Sequence, residues 1–285
     1  ILTLHKKIGV FDSGYGGLSI LKELRKELPE YSFIYLGDNA RVPYGTRSSE
    51  IVYQYTKECV ETLFNADCQL IILACNTASA EALRRIQQND LSRYSPEQRV
   101  LGMIRPSAEK AREISPSGHL GVLATEGTIL SSSYPREIHR FFPSLKVSQV
   151  SCPLWVPLVE NDEHLQPGAD YFLQKNIGEL LAKDPLMDSI LLACTHYPLL
   201  LPKLREIVPD QIQIISQGPL IARSLKDYLN RHPEINQHLE QSGKCYYFTT
   251  DSPDTFSQKA ALFLGKEVTT FRANVHQRQL NFPAH

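Results

Sequence analysis

The sequence predicts an α/β protein of two pseudosymmetric domains, each a mostly parallel sheet flanked by helices. Three observations carry this. Short runs rich in Ile, Val, Leu and Phe recur at 8–11, 33–36, 70–74, 100–104, 120–124, 190–193 and 212–215, as buried strands do. Helical patterns lie between them, and such alternation predicts parallel, helix-covered sheets. Finally, two pairs of segments look alike at nearly equal offsets. Ile8-Gly9-Val10-Phe11-Asp12-Ser13-Gly14 resembles Leu120-Gly121-Val122-Leu123-Ala124-Thr125-Glu126, and Ile72-Leu73-Ala74-Cys75-Asn76-Thr77 resembles Leu192-Ala193-Cys194-Thr195.

Each element can be read in order. The run at 8–11 leads into Asp12-Ser13-Gly14-Tyr15-Gly16-Gly17, where glycines permit close backbone approach and the next helix presents unpaired amides to an anion. The strict dinucleotide-binding spacing is not met. Leu18, Leu21, Leu24 and Leu28 then share one helical face, predicting a helix packed on the sheet. The run at 33–36 opens the loop Asp38-Asn39-Ala40-Arg41-Val42-Pro43-Tyr44-Gly45, whose Pro-Tyr-Gly is a turn signal and whose amides suit a ligand carboxylate. The run at 70–74 delivers Cys75 just ahead of a helix capped by Asn76 or Thr77. A helix N-terminus favours thiolate.

A polar stretch at 87–99 separates the halves, so the run at 100–104 is expected to open the second domain. The run at 120–124 precedes Thr125, Thr128 and Ser131, candidates for ligand binding or for capping. The run at 190–193 delivers Cys194, followed by Thr195 and His196. Pro209-Asp210 precedes the run at 212–215, which is expected to return to the first domain; 244–248 and the helical 257–264 complete it. The expected domains are 1–98 with 212–285, and 99–211.

Composition excludes several classes. The 285 residues include 30 basic and 31 acidic side chains, so no global field favours nucleic acid or an anionic membrane. No apolar run approaches a membrane span. The first residues run at once into a strand-like segment, leaving no room for a signal peptide. Six cysteines without a C-x-x-C pair resemble reduced cytosolic usage. A cytoplasmic enzyme is expected.

A lone cysteine ending a strand is more often structural than reactive. Two in equivalent positions shift the balance towards chemistry. A metal site is the competing reading, but Cys75 brings no neighbouring ligand and the remaining cysteines lack zinc-site spacing. A Cys-His protease or amidase with His196 as base leaves the second cysteine idle. A redox disulfide between Cys75 and Cys194 uses both, although redox pairs usually sit close in sequence.

Taken together, Phe11-Asp12-Ser13-Gly14-Tyr15-Gly16-Gly17-Leu18-Ser19, Pro43-Tyr44-Gly45, Ala74-Cys75-Asn76-Thr77-Ala78 and Ala193-Cys194-Thr195-His196-Tyr197-Pro198 resemble the glutamate racemase family in order and separation. The likeness continues through Thr125-Glu126-Gly127-Thr128, Pro157-Leu158-Val159-Glu160 and Phe248-Thr249-Thr250. The resemblance implies a cytosolic, usually homodimeric enzyme without pyridoxal or other cofactor, with the active site in the cleft between two pseudosymmetric domains, that interconverts L- and D-glutamate and supplies D-glutamate for peptidoglycan. Carried over by position, Cys75 and Cys194 are the catalytic pair and Asp12, Glu160 and His196 tune them. Asp12, Ser13, Tyr44, Gly45, Asn76, Thr77, Thr195 and His196 hold substrate. Two segments depart from the pattern: many members carry Asp-Ser-Gly where this chain has Ser216-Gln217-Gly218, and Gly102-Met103-Ile104-Arg105-Pro106 differs from the Val-Pro-rich version of some members.

Racemisation removes an α-proton from one face of a carbon and returns one to the other face. Two thiols suit this task, because a reference pKa of about 8.5 keeps both protonation states accessible. A racemase for a shorter amino acid such as aspartate is the near alternative, since a single methylene discriminates modestly. A noncatalytic amino-acid binding protein is the distant one, and it leaves the paired cysteines without a role.

Overall fold

The computed structural model describes residues 6–282. Eleven strands are named in chain order: β1 Lys7–Asp12, β2 Phe33–Gly37, β3 Cys68–Leu73, β4 Arg99–Gly102, β5 His119–Ala124, β6 Lys146–Ser151, β7 Ser189–Ala193, β8 Gln213–Ser216, β9 Cys245–Thr249, β10 Thr270–Asn274 and β11 Gln279–Leu280. They form a seven-stranded sheet, β11-β10-β9-β2-β1-β3-β4, and a four-stranded sheet, β6-β5-β7-β8. All pairings are parallel except β10 with β11.

The two sheets share one plan. The order β2-β1-β3-β4 in the first is matched by β6-β5-β7-β8 in the second, so β5 is the counterpart of β1 and β7 that of β3. These are the strands whose sequences look alike. The same plan corrects two expectations. The run at 100–104 does not open the second sheet: β4 pairs with β3, Val100 opposite Ile71. The run at 212–215 does not return to the first: β8 pairs with β7, Ile214 opposite Ile190. Each half is completed by a fourth strand docked on the free edge of its third, so sheet membership changes after 102 and after 216. Ile104 already belongs to the helix Ile104–Glu109. Pro106 is tolerated there because the first helical turn has no acceptors for its amides.

Side-chain period explains the packing. Leu18, Leu21, Leu24 and Leu28 are all buried, as one leucine face should be. Their helix, Leu18–Glu27, packs against Gln217–Arg231, the long helix that leads back from β8 into the first half and buries Leu225 and Leu229. Strands β1, β2 and β3 are buried almost throughout, consistent with helices on both faces. Among the described residues no helix is long and apolar enough to cross a membrane.

Four contacts stitch the carboxyl-terminal ends of the two sheets together. Gly127 N–H donates to Gly45 O at 2.8 Å, and Thr77 Oγ1 meets Thr125 Oγ1 at 2.8 Å. Ser19 Oγ donates to Thr195 O at 2.8 Å, and Lys259 Nζ donates to Glu160 O at 2.7 Å. The tightest approach is at Gly16. A Cβ there would lie 2.2 Å from Thr195 Oγ1 and 2.4 Å from His196 Nδ1, distances no real Cβ tolerates. Gly16→Ala is therefore expected to hold the halves apart. Peptide mass spectrometry should find Cys75 and Cys194 alkylated faster than in the parent while far-ultraviolet circular dichroism stays the same. Unchanged labelling rates would show that the halves still close around the added methyl.

Candidate active site

Every strand end that the sequence marked opens on the seam between the halves. β3 runs out at Leu73, and two residues later Cys75 caps the helix Asn76–Glu81, its Sγ accepting from Ala78 N–H at 3.4 Å. Sγ also lies 3.5 Å from Ser13 Oγ, at the end of β1. β7 ends at Ala193 and delivers Cys194 into a turn, where its backbone carbonyl, in place of its thiol, accepts from Tyr197 N–H at 3.1 Å. The two thiols are only 6% and 7% exposed, and all six cysteines are unpaired. Burial pushes the Cys75 thiol up to about 12, with a further push from Asp12 and a smaller one from Cys194; Ser13 and the Ala78 amide oppose it. Cys75 thus senses the charge of Cys194.

Asp12, Glu160 and His196 are brought together beside them. His196 Nε2 lies 2.9 Å from Glu160 Oε1, and its ring stands edge-on to Phe263. Burial alone would lower its pKa, but hydrogen bonding to Cys194 and Glu160 outweighs that and pushes it up to about 10. A thiol and a carboxylate therefore share one imidazolium. Asp12 is buried, and burial raises its pKa while the nearby His196 charge and the Gly14 amide hold it down. Its Oδ2 accepts from Gly14 N–H at 2.9 Å, whereas Oδ1 has no partner.

The neutral groups divide into two sets. Ser13, Thr77 and Thr195 lie at the seam beside the thiols: Ser13 on Cys75, Thr77 on Thr125, and Thr195 next to Cys194. Asn76 is already fully engaged, with Nδ2 donating to Gln217 Oε1 at 2.7 Å and Oδ1 accepting from Tyr134 O–H at 2.5 Å. Tyr44 and Gly45 part ways. The Tyr44 phenol is buried between Phe11 and Tyr55 and donates to Asp38 Oδ2, so it faces the core. Gly45 faces the other half, where a Cβ would stand 2.8 Å from Thr125 Cβ.

Sequence reasoning passed over Tyr134, Lys259 and Ser19, and it set Gln217 aside because its turn departs from the pattern. One signal for Gln217 was present: it begins a helix directly after a strand, the placement that singled out Asp12-Ser13 and Cys75-Asn76.

Known proteins share much of this sequence and its fold. The sequence pattern of the Asp/Glu/Hydantoin racemase family matches residues 17–225, a span that includes both cysteines. A glutamate racemase of Geobacter metallireducens is 39% identical over 267 residues, covering 91% of this chain and 93% of its own. The crystal structure of a Bacillus anthracis glutamate racemase superposes with a TM-score of 0.86 at 33% identity, covering 95% of this chain and 98% of that one. A Francisella tularensis glutamate racemase in complex with D-glutamate superposes at 0.84 and 27% identity, covering 97% and 100%. With matching sequence across most of its length and a matching fold, the chain belongs to the Asp/Glu/Hydantoin racemase family and is an isomerase.

Proposed function

We propose that the protein interconverts L- and D-glutamate by two-base α-proton transfer between Cys75 and Cys194, without a cofactor. The observation that carries this is the pair of buried thiols at equivalent strand ends of two like-built halves, both open to one seam. Relatives named glutamate racemase across most of the chain supply the substrate. Cys194 takes the α-proton of L-glutamate and Cys75 delivers one to the opposite face; in reverse, Cys75 takes the proton of D-glutamate. Bond making and breaking balance, since one thiolate becomes a thiol as the other thiol becomes a thiolate.

The surroundings of each thiol differ. On the Cys194 side stands the His196 imidazolium, held by Glu160. On the Cys75 side burial and the Asp12 charge keep the group a thiol at neutral pH. A substrate ammonium arriving beside Asp12 brings the positive charge that makes the Cys75 thiolate accessible. Ser13, Thr77, Thr195 and the backbone around Tyr44 and Gly45 orient the substrate carboxylates, while Asn76 contributes its backbone. Closure of the seam excludes water, which strengthens these interactions as carbanion character develops. In the cell this activity supplies D-glutamate for peptidoglycan from the cytoplasm, and the working form is a homodimer.

In heavy water with a chelator and no added pyridoxal, purified protein given L-glutamate should form D-glutamate carrying α-deuterium. Activity that appears only when metal or pyridoxal is restored would overturn the reading.

Replacing either Cys75 or Cys194 by Ala should collapse racemisation in both directions, because the acid of one direction is the base of the other. Residual chemistry should be one-sided: Cys75→Ala exchanging the α-proton of L-glutamate, and Cys194→Ala that of D-glutamate. A folded single variant racemising at the parent rate would remove that cysteine from the mechanism.

The raised pKa of His196 sets a pH window. Stabilisation by the imidazolium is complete below the ordinary value of 6.5 and is lost as pH rises through about 10. The alkaline limb of the pH–rate profile should report that loss. His196→Asn should abolish the limb and lower kcat by roughly ten- to a hundredfold, the worth of one charge-assisted hydrogen bond. The same limb persisting in the variant would assign it elsewhere.

A further inference from the structure

Behind Cys75 lies a closed polar network that none of the roles above uses. Its centre is Gln217, the first residue of the helix Gln217–Arg231 and 2% exposed. Gln217 Oε1 accepts from Asn76 Nδ2 at 2.7 Å, and Nε2 donates both to Ser107 Oγ at 2.8 Å and to Tyr134 Oη at 2.6 Å. Tyr134 in turn donates to Asn76 Oδ1 at 2.5 Å, and Ser107 donates to Met103 O at 3.0 Å. Both hydroxyl protons point away from Gln217, so only an amide nitrogen with two hydrogens satisfies both oxygens and completes the ring. All four side chains are buried.

The partners come from different parts of the molecule. Asn76 follows Cys75 directly and opens the helix that Cys75 caps. Ser107 lies on the helix after β4, Tyr134 on the helix Ser133–Phe141 of the second half, and Gln217 at the end of β8. The ring thus ties the Cys75 turn to two elements of the opposing half. Among the described residues no corresponding ring is built on Thr195, the residue that follows Cys194; its carbonyl is held by Ser19.

We infer that Gln217 is a positioning residue for Cys75: through Asn76 it fixes where that thiol stands relative to a substrate held against the second half. The inference rests on the two-thiol racemisation proposed above. A thiol displaced by a fraction of an ångström transfers protons more slowly, whereas the substrate loses at most the Asn76 contact and keeps Ser13, Thr195 and the Tyr44–Gly45 backbone, so KM changes little.

The test uses Gln217→Leu, close in size and unable to hydrogen-bond, beside Tyr134→Phe, which keeps the ring and loses one hydroxyl. Both should lower kcat by roughly ten- to a hundredfold with KM nearly unchanged. The discriminating readout is the primary isotope effect measured with α-deuterated substrate in each direction. Slowing the Cys75 step alone makes it more rate-limiting, so the effect should rise for D-glutamate and fall for L-glutamate. Mere loss of folded enzyme lowers kcat and leaves both isotope effects at their parent values, and that outcome would overturn the inference. So would parent kinetics in both variants. If Gln217→Leu does not fold, Tyr134→Phe decides by the same readout. A parent protein that fails to racemise glutamate fails the proposed function itself, which the unmodified chain reports separately.

Discussion

The geometry of the whole site depends on how closely one backbone can approach two side chains of the opposing half at a single point. Gly16 stands where any side chain would strike Thr195 and His196. Because the helix after β1 can press directly on the turn after β7, Ser19 reaches the Thr195 carbonyl and Asp12 comes within the field of His196. The same approach seals the two thiols from water, and sealing raises Cys75. A larger residue at Gly16 would leave both strand ends intact and still separate them, so the constraint belongs to the pair of halves and not to either alone.

That closeness makes the two sides electrostatically unequal although their folds correspond. Cys194 has a cationic neighbour in His196, which burial alone would neutralise and which Glu160 keeps charged. Cys75 has an anionic neighbour in Asp12 and relies on a hydroxyl and one backbone amide. Glu160 is itself anchored from the first half, where Lys259 donates to its carbonyl and pairs with Asp162 at 3.0 Å. The corresponding folds thus set a cation beside one thiol and an anion beside the other.

Much of this was legible in the sequence because it is carried by short-range signals. Apolar runs marked the seven strands that end near the seam, the leucine spacing marked a buried helical face, and the two look-alike pairs fell on β1 with β5 and on β3 with β7. What failed was long-range. The polar stretch at 87–99 reads as a boundary, yet pairing of β4 with β3 is decided by which sheet edge is free, and local sequence does not record that. β6 escaped notice because it is an edge strand of the smaller sheet, with alternating half-buried positions instead of a continuous apolar run. Gln217 was discounted for differing from a pattern, although its importance lies in partners at positions 76, 107 and 134 that no local reading connects.

Tyr44 shows how a residue can serve a site by turning away from it. Its loop is clamped by Asp38, a buried carboxylate whose Oδ2 accepts from Arg41 Nε at 2.7 Å and from the Tyr44 hydroxyl, and whose Oδ1 accepts from Thr250 at 2.9 Å. A carboxylate so deeply buried is tolerable only with such partners, and stranding it by removing one half of an ion pair costs roughly 3–5 kcal/mol. With the phenol fixed in the core between Phe11 and Tyr55, the next residue has little freedom, and Gly45 is left presenting its carbonyl to Gly127 of the other half. The Pro-Tyr-Gly turn therefore acts through its backbone: the side chain supplies the anchor, and the glycine supplies the surface against which the second half closes.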